Sequence, residues 1–224
     1  MTTPLPVYLP NLPDTDALIP YLRGIEARRR YTNFGPLESA LCQGLSVLLD
    51  CQMPPAVALA SSGTDALTLA LRALNLRPGA RVLVPALTFP ATATAALAAG
   101  LTPVLTDIDS ATWQLTPEIA RSFTTEFDLV VPVATFGLPL PVSEWDAFSR
   151  ETGIPVVFDA AGGLLHQPMP QTCIATFSLH ATKPLGLGEG GVIASRDARL
   201  MARGMLGVGP AFDPRNCVFL YVLP

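Results

Sequence analysis

From Pro55 onward, short apolar runs alternate with longer segments that carry apolar residues on one side. The runs are VALA (57–60), VLVP (82–85), PVLT (103–106), LVVPV (129–133), PVVF (155–158), IATFS (174–178) and GVIAS (191–195). Runs this short and this apolar predict strands buried on both faces. Between most of them lie helical patterns. TDALTLALRALNL stops at Pro78-Gly79, and PATATAALAAG stops at Gly100. TPEIARSF offers Thr116 as a cap and Pro117 as the first helical residue, and VSEWDAFSRETG runs from near Ser143 to Gly153. Such alternation predicts a mostly parallel seven-stranded sheet with helices on both faces, a three-layer α/β/α domain.

Ahead of this rhythm, residues 1–54 read as an N-terminal segment with helices. Prolines are scattered through it, and Arg28, Arg29 and Arg30 read as a solvated helix face. TNFGP (32–36) has turn chemistry before the helical pattern LESALCQGLSVLLD. The large domain is expected over residues 55–210, with 211–224 as a tail.

Composition narrows the class. The chain has 224 residues, half of them hydrophobic and 14% charged, which excludes a disordered or collagen-like chain. A net charge of −4 with no basic run argues against a nucleic-acid partner. The mean hydropathy of +0.41 raises the question of a membrane. Residues 82–106 and 160–182 contain no Asp, Glu, Lys or Arg, but Pro and Gly interrupt both, so they read as core rather than as spans. The N-terminus lacks a basic start followed by an apolar block, so no secretory signal is expected. Cys42, Cys51, Cys173 and Cys217 have no metal-ligand spacing and read as buried thiols of a cytoplasmic protein without a metal.

In open α/β sheets, ligands sit beyond the carboxyl ends of the strands. That edge collects Ser61-Ser62-Gly63-Thr64, residues 86–90, Asp107, residues 135–137, Asp159 and residues 178–183. Ser62, Gly63 and Thr64 open a helix expected near Asp65, where free amides favour a phosphate; an ordinary capping turn is the alternative. Asp159 ends a strand with almost no polar atoms and needs a donor or a cation; a local structural carboxylate is the alternative. Lys183 is the one lysine among 14 basic residues and lies in the Gly-rich stretch SLHATKPLGLGEGG. It is either an exposed loop residue or a Schiff-base nucleophile. His180 and His166 have no partner at ligand spacing, and His180 reads as a positional or packing residue.

Taken in order, ALASSGTDALTLALRAL, RVLVPALTFPATATAAL, AAGLTPVLTDIDSATWQL, PVVFDAA and FSLHATKPLGLGEGG resemble the DegT/DnrJ/EryC1/StrS sugar aminotransferases. These are fold-type I enzymes that use pyridoxal 5′-phosphate (PLP). The resemblance runs from about TNFGP to the helix near Leu206. It implies that Lys183 is the Schiff-base lysine and that Asp159 pairs with the pyridine nitrogen, keeping the ring an electron sink. It implies that Phe89 stacks on the ring and that Ser62, Gly63, Thr64 and Ser178 hold the phosphate. A lysine at 183, where the dehydratase branch has histidine, favours amino transfer. The implied reaction moves an amino group from an amino-acid donor such as glutamate to a keto sugar on a nucleotide carrier, in polysaccharide or secondary-metabolite biosynthesis. A homodimer is implied as well.

The sequence departs from the family pattern at three places. Gly162 follows the DAA triplet where relatives carry Gln or His to contact the cofactor's ring hydroxyl. Leu206-Gly207-Val208-Gly209 stands where an Arg-Asn pair is common, with the Asn reaching the partner's cofactor phosphate. The family's C-terminal small domain is not represented after NCVFLYVLP, so the chain is expected to be truncated before it. Two expectations follow: an active aminotransferase, or a truncated PLP-binding remnant with weak or no turnover.

Overall fold

The computed structural model describes residues 9–31 and 35–204. Residues 32–34 of the TNFGP turn, Leu206 to Gly209, Cys217 and the 211–224 tail lie outside the described residues.

Two helices come first, α1 (Thr15–Arg28) and α2 (Pro36–Leu49). α1 buries no residue and contains Pro20, whose ring cannot supply the helical N–H. Arg28 is its last residue and Arg29 is left-handed at φ 50°, so the arginine cluster marks a helix end and not a helix face. α2 starts on Pro36 and buries Cys42 and Leu45.

The alternating domain follows as β1 (Ala56–Ala60), α3 (Gly63–Ala73), β2 (Arg81–Pro85), α4 (Ala91–Ala98) and β3 (Thr102–Thr106). It continues through α5 (Pro117–Ser122), β4 (Leu129–Val130), α6 (Val142–Thr152), β5 (Val157–Asp159), β6 (Ile174–Ser178), β7 (Gly191–Ser195) and α7 (Ala198–Gly204). All seven expected strands are present. The fourth is shorter than its apolar run because Pro132 has no N–H for the ladder. Thr116 caps α5 as expected, while α6 starts at Val142 with no side-chain cap.

β3, β2 and β4 form one set, all parallel, and β5, β6, β7 and β1 form a second, mixed set. The parallel bridges Val130–Val156 and Val133–Asp159 join the two sets. The resulting order is β3-β2-β4-β5-β6-β7-β1, in which β7 runs against both of its neighbours. β7 can reverse because no crossover helix separates it from β6; residues 179–190 connect them as a loop.

Side chains alternate across the sheet into two cores. Val57, Leu59, Leu83, Phe158, Phe177 and Val192 pack with residues of α2, α5 and α6, including the fully buried Trp145. Ala58, Ala60, Val82, Val84, Val157 and Ile193 pack with residues of α3, α4 and α7. The architecture is the three-layer α/β/α domain, and Asp159 ends a strand at the middle of its sheet. The uncharged segment 82–106 folds as β2, α4 and β3. Among the described residues, no helix is long and apolar enough to cross a membrane.

Candidate active site

At the end of β1 the chain turns through Ser61 and Ser62 into α3, which starts at Gly63 rather than near Asp65. Ser62 is the N-cap: its Oγ accepts from the Asp65 N–H at 3.1 Å and donates to Asp65 Oδ2 at 3.0 Å. Ser61 also donates to Asp65 Oδ2. The Ala66 N–H donates to the Ser62 carbonyl at 2.9 Å. The N–H groups of Gly63 and Thr64 have no acceptor among the described residues, so the first turn offers two free donors at the positive end of the helix.

Gly63 and Ser178 meet across this turn. A Cβ at Gly63 would lie 2.7 Å from Ser178 Cβ and 3.2 Å from its Cα, so only glycine lets α3 abut the last residue of β6. Gly191, where β7 begins, is equally confined, since its Cβ would meet the Ser62 carbonyl. Ser178 is buried, and its Oγ accepts from the His180 N–H at 3.2 Å. The free amides of Gly63 and Thr64 and the Ser178 hydroxyl thus share one small cradle with the chemistry of an oxyanion site.

Asp159 ends β5 and is buried. Burial pushes its carboxyl above the ordinary range; hydrogen bonds from Thr92 and Ala161, and the charge of Lys183, oppose that rise. Thr92 Oγ1 donates to Oδ2 at 2.6 Å, and the Ala161 N–H donates to Oδ1 at 3.3 Å. Lys183 is half-buried in the loop after β6, its N–H donating to the His180 carbonyl at 2.8 Å. The His180 ring braces that loop: Nδ1 lies 2.8 Å from Thr182 Oγ1 and Nε2 lies 3.5 Å from Glu189.

Phe89 is 78% exposed, immediately before α4, and its carbonyl accepts from the Thr92 N–H at 3.1 Å. Gly162 lies against the turn after β4, where a Cβ on Gly137 would stand 2.7 Å from the Gly162 carbonyl. In that turn, Phe136 is left-handed at φ 54°.

The structure therefore brings Ser62, Gly63, Thr64 and Ser178 together at one point, and brings Asp159 and Lys183 within electrostatic reach of each other. Phe89 sits at the same edge with its side chain exposed. The sequence reading missed Thr92 and Thr88. Thr88 precedes α4 and Thr92 lies in its first turn, so the available signal was only a pair of hydroxyls near the strand end where a buried carboxylate needed a donor.

A sheet with one reversed strand, a buried carboxylate on a central strand and a lysine in the reversing loop define a fold-type I large domain. The chain belongs to the DegT/DnrJ/EryC1/StrS aminotransferase family, whose profile matches residues 14–206. It is 39% identical over 147 residues to UDP-N-acetyl-3-dehydro-alpha-D-glucosamine 3-aminotransferase of Acidithiobacillus ferrooxidans, covering 62% of this chain and 40% of that protein. It is 32% identical over 207 residues to dTDP-4-amino-4,6-dideoxy-D-glucose transaminase of Shigella dysenteriae, covering 86% of this chain and 53% of that protein. The crystal structure of DesI in the presence of its TDP-sugar product superposes with a TM-score of 0.80 at 31% identity, over 91% of this chain and 52% of that one. The chain thus spans about half the length of the relatives it matches.

Proposed function

We propose that this chain forms the cofactor-binding part of a PLP-dependent aminotransferase acting on a nucleotide-linked keto sugar. The observation that carries this reading is buried Asp159 at the end of β5, with Lys183 in the loop after the neighbouring strand β6 and Gly63 packed on Ser178, the last residue of that strand. A pyridinium nitrogen suits Asp159, because a buried carboxylate gains most from a cationic partner. A phosphate suits the cradle, which supplies two free amides and a hydroxyl. Fold-type I relatives include a protein solved with bound PMP, NtdA from Bacillus subtilis, which supports the same cofactor class here.

PLP, when bound, supplies an electron sink for the carbon that carries the transferred nitrogen. The chain's own residues do the rest. Gly63, Thr64, Ser62 and Ser178 would hold the phosphate. Asp159 would stabilise a protonated ring nitrogen through its charge. Phe89 would pack against the ring. The Lys183 amine would hold the cofactor and could serve as the base that moves a proton at the substrate carbon. Glutamate is the proposed donor, a homodimer the proposed assembly and the cytoplasm the proposed compartment.

The test is a half-reaction. The purified chain, loaded with PLP, is mixed with glutamate and followed by absorbance. Stoichiometric loss of the yellow form with release of 2-oxoglutarate supports the reading. A bound cofactor that glutamate leaves unchanged would instead support a PLP-binding remnant without turnover.

A further inference from the structure

We propose that Thr92, with Thr88 behind it, is a positioning residue that holds Asp159 in one rotamer and in its ionised form through a one-way chain of hydroxyl donors. The proton count fixes the direction of that chain. Thr92 Oγ1 donates its single proton to Asp159 Oδ2 at 2.6 Å. Thr88 Oγ1 lies 2.6 Å from Thr92 Oγ1, and with the Thr92 proton already committed, Thr88 is the donor of that second bond. The order is therefore Thr88 to Thr92 to Asp159. It suits an ionised carboxylate, which only accepts, and each bond in such a chain strengthens the next. A proton on Asp159 would fall on Oδ1 and would remove the charge that strengthens the Thr92 bond to Oδ2.

Three observations separate this arrangement from ordinary helix packing. Thr92 is completely buried, where a valine would fill the same volume without a hydroxyl to satisfy. Thr68 and Thr152 bond back to their own helices, to the Thr64 carbonyl at 2.9 Å and the Phe148 carbonyl at 2.7 Å. Thr92 instead reaches a strand 67 residues away in sequence. The two carboxylate oxygens are also unequal. Oδ2 is tied to α4 by a short bond, while among the described residues Oδ1 has only the 3.3 Å contact from the Ala161 N–H and keeps accepting capacity to spare. The charged group that acts on Asp159 from the neighbouring loop is Lys183.

The consequence for catalysis rests on the cofactor reading above; the hold on Asp159 does not. The test therefore begins without cofactor. In the full chain labelled with 13C at the aspartate carboxyls, the Asp159 resonance is assigned by its loss in Asp159→Asn and titrated in wild type, Thr92→Val, Thr92→Ser and Thr88→Val. PLP affinity is measured separately by fluorescence quenching. Thr92→Val is expected to raise the Asp159 midpoint by about one pH unit, a tenfold change, and to weaken PLP binding about tenfold. Thr92→Ser restores both, and Thr88→Val moves the midpoint the same way by about half as much. An unmoved midpoint in a folded Thr92→Val overturns the proposal. If that variant fails to fold, an unmoved midpoint in Thr88→Val overturns it instead. A shifted midpoint in a chain whose wild type does not bind PLP leaves the proposal standing and removes the cofactor reading.

Discussion

A Cβ added to Gly63 would stand 2.7 Å from the Cβ of Ser178, closer than two such atoms can approach. The first turn of α3 and the end of β6 are therefore held together by the absence of a side chain. Gly63→Ala must push Ser178, whose Cα lies 3.2 Å from the new methyl, or lift the helix end. The expected cost is about 1–3 kcal/mol of stability, typical of overpacking. Because the free amides move with the turn, PLP and inorganic phosphate should both bind more weakly. Chemical denaturation and phosphate competition against PLP measure the two effects. A variant with wild-type stability would contradict the close packing.

Asp159 should make stability fall as pH rises. Burial raises its folded-state pKa above the usual carboxylate value, so the folded chain holds that proton more tightly than the unfolded one. The associated stability is fully present below the unfolded pKa of about 3.9 and is lost as pH rises through the folded value. Asp159→Asn cannot titrate and escapes this loss. Its melting temperature relative to wild type should therefore climb with pH from the acidic end toward neutrality. A difference that stays constant over that range would show that Asp159 is not perturbed in this direction.

Asp146 behaves in the opposite sense. Burial alone would raise its carboxyl, but hydrogen bonds from Gln171, Thr172 and Cys173 hold it below the usual range. The Gln171 and Thr172 N–H groups donate at 2.9 and 2.8 Å, so this side chain on α6 pins the loop that leads into β6. Its contribution is present above the unfolded pKa and disappears as pH falls through the folded value. Asp146→Ala should cost about 1 kcal/mol at neutral pH by removing the bonds to these part-buried donors. Less of that cost should remain under acid. Urea titrations of both proteins across the acidic range test the sign.

The thiols should differ sharply in reactivity. Cys51 is exposed, whereas burial pushes the Cys173 thiol up to about 12. At neutral pH, brief treatment with iodoacetamide should modify Cys51 and spare Cys173 until the chain is denatured. Peptide mass spectrometry reads the two sites independently. Equal labelling of both in the native protein would contradict the packing around Asp146.

Much of the fold is visible in the sequence because the strands are buried on both faces. Ile174–Ser178 and Gly191–Ser195 match their apolar runs residue for residue. Where backbone chemistry overrides hydropathy, the pattern misleads: Pro132 cuts β4 short within an unbroken apolar run. The N-terminal helix escapes pattern reading because it buries nothing and contains Pro20. At the site, Asp159 and Lys183 stand out because a carboxylate after an apolar strand and a solitary lysine are rare by type. Thr92 does not stand out. In PATATAAL its hydroxyl is one of several, and its partner comes near only when the sheet forms.

Lys183, in the loop after β6, is the residue proposed to hold the cofactor. The direct measurement is borohydride reduction of the PLP-loaded chain followed by peptide mass spectrometry. A single pyridoxyl adduct is expected on Lys183, and none in Lys183→Ala. An unmodified Lys183 peptide from a chain saturated with PLP would contradict it.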